Sequence, residues 1–92
     1  SDQYNLNLQL TGICNDYDDC VQRGSSIEEG IIYFFLKNKC IIGACGVGIK
    51  GKIGRDISLA TKLSVNKIEL SREVLSDTNQ KLNKLLANVN NE

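Results

Sequence analysis

The chain has 92 residues, with 11 Lys plus Arg balanced by 11 Asp plus Glu, and it contains four cysteines but no histidine, proline, tryptophan or methionine. The even charge balance argues against a nucleic-acid binder, which needs a basic excess, and no apolar run approaches the roughly 20 residues of a membrane-spanning helix. Without histidine the commonest general base and the commonest metal ligand are both missing, so a self-contained enzyme is disfavoured and no catalytic residue or metal ligand is assigned.

The chain opens on an alternating strand over 1–11. Leu6, Leu8 and Leu10 share one side and Asn5, Asn7 and Gln9 the other, and Gly12 ends the run. A strand that begins without any lead-in reads as a piece of something larger, so residues 1–92 are expected to form one domain excised from a longer protein. Ile13 to Asp19 is a polar, acidic connection, and Cys20 to Arg23 is short enough for a second strand before Gly24-Ser25-Ser26 turns the chain. Ser25 with Glu28, and Ser26 with Glu29, have capping-box spacing. Gly30 and a new strand follow at once, so a turn is expected there rather than a helix.

Ile31 to Leu36 and Cys40 to Cys45 are apolar on both alternations, and Lys37-Asn38-Lys39 between them has the length and the Asn of a tight hairpin turn. Strands apolar on both faces must be covered on both, whereas the rest of the chain supplies helix for only one. This hairpin is therefore the expected centre of the sheet, with its second face meeting another domain. Gly46-Val47-Gly48-Ile49-Lys50-Gly51 spells G-x-G-x-x-G after a strand and before a helix. The dinucleotide chemistry of that motif needs a parallel βαβ unit and an acid at the end of the next strand. Here the preceding strand belongs to an antiparallel hairpin and the acid at the right offset, Glu69, lies between helices, so the glycines are read as a flexible connection.

Helical spacing of Ile57, Ala60 and Leu63 predicts a helix over 55–64, with Asp56 complementing its dipole. Ser71 is placed to cap a short helix carrying Val74 and Leu75. Leu82, Leu85, Leu86 and Val89 make a last amphipathic helix that frays over 88–92. Strands followed by helices imply an α+β fold, an antiparallel sheet built on the central hairpin with helices on one face. The charge is uneven: six acids against Arg23 up to residue 30, then ten bases against five acids. That is the pattern of ordinary solvated surface, or of a basic part that meets an acidic partner. The cysteine gaps, C-x5-C between Cys14 and Cys20 and C-x4-C between Cys40 and Cys45, do not match zinc-knuckle spacing. The thiols are read as structural, and in the absence of a secretory signal a reducing cytoplasm is the expected compartment.

Ser1-Asp2-Gln3-Tyr4 with Leu8-Gln9, Tyr17-Asp18 to Arg23-Gly24, the Gly43 to Val47 strand, and Arg55-Asp56-Ile57 with Leu59-Ala60 stand in the order and near the spacings of a known family. Across roughly residues 1–86 the chain resembles the C-terminal domain of FAD-dependent NADH:ferredoxin reductases, the reductase components of aromatic-ring dioxygenases and the putidaredoxin reductase type. The resemblance implies a parent that binds FAD and NAD(P)H in two Rossmann-type domains outside this chain. Hydride would pass from the nicotinamide to flavin N5, and single electrons would pass on to a 2Fe-2S ferredoxin that feeds a ring-hydroxylating oxygenase. It further implies that this domain walls the flavin cleft, with Ser1, Asp2 and Gln3 as cofactor-binding contacts at the flavin edge. In the family the opening motif is usually preceded by an aromatic pair ending in Trp, a position that falls before Ser1 and so outside this sequence, and the stretch Gly48 to Gly54 has the greater length of the dioxygenase-reductase branch. The expected partners are the FAD- and NAD-binding domains of the same parent and the ferredoxin, with no nucleic acid and no membrane. Neither a cofactor nor activity is expected of the fragment alone. Two other readings stand beside this one: a domain of an apoptosis-inducing-factor-like flavoprotein, and a free-standing protein-interaction module.

Overall fold

The computed structural model describes residues 6–12, 15–49 and 53–90, with side chains at 10–11, 15–49 and 53–87. Four strands are followed by three helices: β1 (Leu6–Gly12), β2 (Asp19–Arg23), β3 (Ile31–Lys37), β4 (Cys40–Ile49), α1 (Gly54–Val65), α2 (Arg72–Ser76) and α3 (Leu82–Asn90). The strands form one antiparallel sheet in the order β1-β4-β3-β2. The doubly apolar hairpin β3–β4 therefore takes the two inner positions, as its pattern requires, and the more polar strands lie outside. Asn38 and Lys39 form its turn with φ of 52° and 71°. Two successive left-handed residues are what matches a two-residue turn to the twist of its strands.

Alternation divides the sheet into two faces. Val21, Ile32, Phe34 and Ala44 point to the helices and are at most 2% exposed, where they meet Ile57, Ala60 and Leu63 of α1, Leu75 of α2, and Leu82 and Leu85 of α3. Each such large apolar side chain contributes about 1.5–3 kcal/mol of burial. The short helix α2 holds because Ser71 caps it, its hydroxyl accepting from the Val74 N–H at 3.2 Å. Residues 26–30 are a turn, the N–H groups of Glu29 and Gly30 both donating to the Ser26 carbonyl. The Ser26 hydroxyl donates to Glu28 rather than closing a capping box.

The glycine motif departs from expectation. It is not a flexible connection, at least as far as Ile49: β4 runs through Gly46, Val47 and Gly48, paired on one side with β1 (Leu6↔Ile49, Leu8↔Val47) and on the other with β3 (Ile31↔Val47). A Cβ at Gly46 would lie 2.8 Å from the Ile57 side chain and 3.0 Å from that of Ile32. At Gly48 it would lie 3.0 Å from Gly30 Cα and from Ile53 Cγ2. The missing side chains let α1 settle directly on the strand, so the space a pyrophosphate would need is filled by isoleucines. Lys50, Gly51 and Lys52 lie outside the described residues. The helix itself is one residue longer at each end than its apolar spacing marks, running from Gly54 to Val65.

Candidate functional site

The second face of the sheet carries the complementary set. One row across the strands reads Leu10, Cys45, Tyr33, Gln22, and the next reads Gly12, Gly43, Phe35, Cys20. Of these, Tyr33, Phe35, Cys45 and Cys20 are half-buried and Leu10 is 66% exposed. Val47 extends the band and is also half-buried. Helix α1 packs on β1, β3 and β4 and helix α2 on β2, all through the core on the opposite side, so among the described residues no helix covers this face. An apolar sheet face left uncovered by the helices is a candidate docking surface.

The loop 15–18 is fastened at one end of this face. Tyr17 stacks against Phe35 with ring centroids 4.9 Å apart, a tilted pair. Asp18 is held twice: its N–H donates to the Leu36 carbonyl at 2.9 Å, and its carboxylate accepts from the Asn38 N–H at 3.0 Å. Lys37 pairs with Asp16 at 2.8 Å, and this contact raises the lysine pKa above its ordinary value. Arg72 holds Asp19 in a hydrogen-bonded ion pair that keeps the carboxyl below its usual range. Burial pushes the Cys20 thiol up, with the Asp19 charge adding to it.

Arg23 and Gly24 turn out to be a structural joint. The Arg23 guanidinium, 7% exposed, donates at 3.0 Å to the carbonyls of Leu75 and Asp77 and also to that of Gln80, pinning the α2–α3 connection to the end of β2. Gly24 has φ of +92°, and a Cβ there would come within 2.6 Å of the Gly30 carbonyl oxygen. Cys20, Cys40 and Cys45 are free thiols on strands. Ser1, Asp2 and Gln3, the expected flavin-edge contacts, lie outside the described residues, as does Cys14. The open sheet face was readable in the sequence only as the second alternation of the hairpin; the loop that flanks it and the joint at Arg23 were legible only as motif residues without roles.

Comparison with known proteins agrees with this architecture. The family model described as "Reductase C-terminal" matches residues 1–86. Among solved structures, the ferredoxin reductase for the CYP199A2 system from Rhodopseudomonas palustris is 29% identical with a TM-score of 0.71, over 92% of this chain and 20% of that one. The reductase in the covalent putidaredoxin reductase–putidaredoxin complex is 21% identical with a TM-score of 0.82, over 100% of this chain and 21% of that one. The chain thus spans about a fifth of the length of these proteins. No curated protein matches it significantly. A four-stranded antiparallel sheet in this order with helices on one face, matched along nearly its whole length by one family model, makes the chain a member of the reductase C-terminal family.

Proposed function

We propose that this chain is the C-terminal domain of a pyridine-nucleotide-dependent flavoprotein ferredoxin reductase, in which it walls the flavin cleft and packs against the parent's FAD- and NAD-binding domains. The observation that carries the reading is the apolar sheet face of Leu10, Tyr33, Phe35, Cys45 and Val47 in a chain whose family match runs over 1–86. Buried against a neighbouring domain, this face would exclude water from one side of the cleft. The packed core behind it would keep the wall from yielding.

The cofactors of such a parent do not fit the described residues. Gly46 and Gly48, the described glycines of the dinucleotide-like motif, lie on an antiparallel strand and are packed against Ile57, Ile53 and Ile32. FAD and NAD(P)H would be held elsewhere in the parent and would supply the hydride and electron chemistry themselves. The role of this chain is positional. Ser1, Asp2 and Gln3 would stand at the flavin edge, and a 2Fe-2S ferredoxin feeding an oxygenase would take the electrons.

The test uses the full-length gene product. It should carry flavin and reduce a 2Fe-2S ferredoxin with NADH or NADPH. Gln3→Ala should slow flavin reduction or ferredoxin turnover about five- to thirty-fold while changing stability by no more than about 0.5 kcal/mol. A gene product without flavin would refute the reading as a whole. Wild-type rates in the variant would refute only the contact at the flavin edge.

A further inference from the structure

A second feature lies on the helical side of the molecule. The end of β2 and the first turns of α1 and α3 enclose a cleft of about 280 Å³, lined among others by Arg23, Arg55, Lys81 and a single acid, Asp56. The charges of Asp56 and of neighbouring Asp77 both act on Arg23, so the three bases leave the concavity with a net excess of positive charge that rests on Arg55 and Lys81. Arg23 is fixed there by its three carbonyl contacts. Arg55 and Lys81 are exposed, and among the described residues neither forms an ion pair. These two charges are free to meet a ligand.

The walls strengthen the field. Ile32, Leu59 and Leu82 supply an apolar lining, and charges act more strongly beside a low-dielectric wall than in open water. One helix dipole adds to the same sign: α3 has no acid in its first turn, whereas Asp56 already offsets the dipole of α1. Thr78 and Asn83 place neutral hydrogen-bonding groups in the lining, while Gly24 and Gly30 keep one wall free of side chains. The volume is just below the range of drug-sized pockets, which suits a small ligand.

We infer that this cleft binds a small oxyanion, a phosphate or carboxylate group held between Arg55 and Lys81 above the guanidinium of Arg23. The site is separate from the apolar sheet face and does not depend on the proposed reductase role.

Inorganic phosphate is the probe, titrated into the 92-residue chain against sodium chloride at matched ionic strength. The thermal midpoint should rise saturably with phosphate beyond the chloride control. Amide NMR shifts should concentrate at Arg55, Asp56, Leu82 and Asn83. Arg55→Gln with Lys81→Gln, both at exposed positions, should keep the unliganded midpoint and weaken phosphate binding about tenfold or more. A response no greater than that to chloride would overturn the assignment, as would shifts scattered over the other lysines or unchanged affinity in the double variant.

Discussion

Arg23 offers the most direct test of how this fold is held together, because one side chain joins the sheet to the α2–α3 connection. Arg23→Met keeps most of the apolar stem and removes the guanidinium. Of its three acceptors, the Leu75 carbonyl belongs to a residue that is 0% exposed and has no access to replacement water. Losing a charge-assisted hydrogen bond there costs about 2–3 kcal/mol. The carbonyls of Asp77 and Gln80 are only partly buried, so water can substitute, and each adds about 0.5–1 kcal/mol. The total is about 3–5 kcal/mol, a large share of the roughly 5–15 kcal/mol that holds a typical domain. For a chain of this size it corresponds to a fall in thermal midpoint of roughly 12–40 °C. Urea and thermal unfolding followed by circular dichroism would measure it. Arg23→Lys restores the charge but not the fork that spans three acceptors, so it should recover less than half of the loss. Hydrogen exchange should show early loss of protection at the Asp77 and Gln80 N–H groups, which close the turns of the pinned segment. A loss below about 1 kcal/mol in Arg23→Met, or full stability in Arg23→Lys, would refute the argument that the guanidinium organises this connection.

Gly46→Ala puts a methyl 2.8 Å from Ile57 and should destabilise the chain by about 1–3 kcal/mol, read from the urea midpoint; a variant as stable as wild type would show that α1 does not need the bare strand. The Asp19 carboxyl titrates below its ordinary value because Arg72 holds it, so its stabilising effect is present above about pH 4 and is lost as the pH falls through the folded value. Wild type should therefore lose more stability than Asp19→Asn between pH 6 and pH 2, by a modest amount since the pair is exposed; equal losses would remove the pair from the acid response. The Cys45 thiol on the open sheet face should react with iodoacetamide in the 92-residue chain and be protected in the full-length gene product, as read by mass spectrometry. Equal rates in both would mean that no neighbouring domain covers this face.

The two-faced hairpin was decided locally. Ile31 to Leu36 and Cys40 to Cys45 are apolar at every register, which forces them to the inside of a sheet, and Asn38 accepts the left-handed backbone their turn requires. The helices follow from the same kind of information: the spacing of Ile57, Ala60 and Leu63, and the cap at Ser71, operate within a few residues. The family motifs at Tyr17-Asp18 and Arg23-Gly24 were visible too, but not what they do. Arg23 finds its acceptors 52 to 57 residues later in the chain, a pairing that no local pattern encodes. The glycines show the limit most clearly. Gly46-x-Gly48 has the spelling of a phosphate loop, and sequence alone distinguishes a strand from a connection there only through its partners. Pairing with β1 and β3 makes it a strand, and the approach of Ile57 and Ile53 makes its missing side chains a packing requirement. Local physics set the elements. Which surfaces of those elements stay open, and which cations converge on one cleft, depended on contacts between residues far apart in the chain.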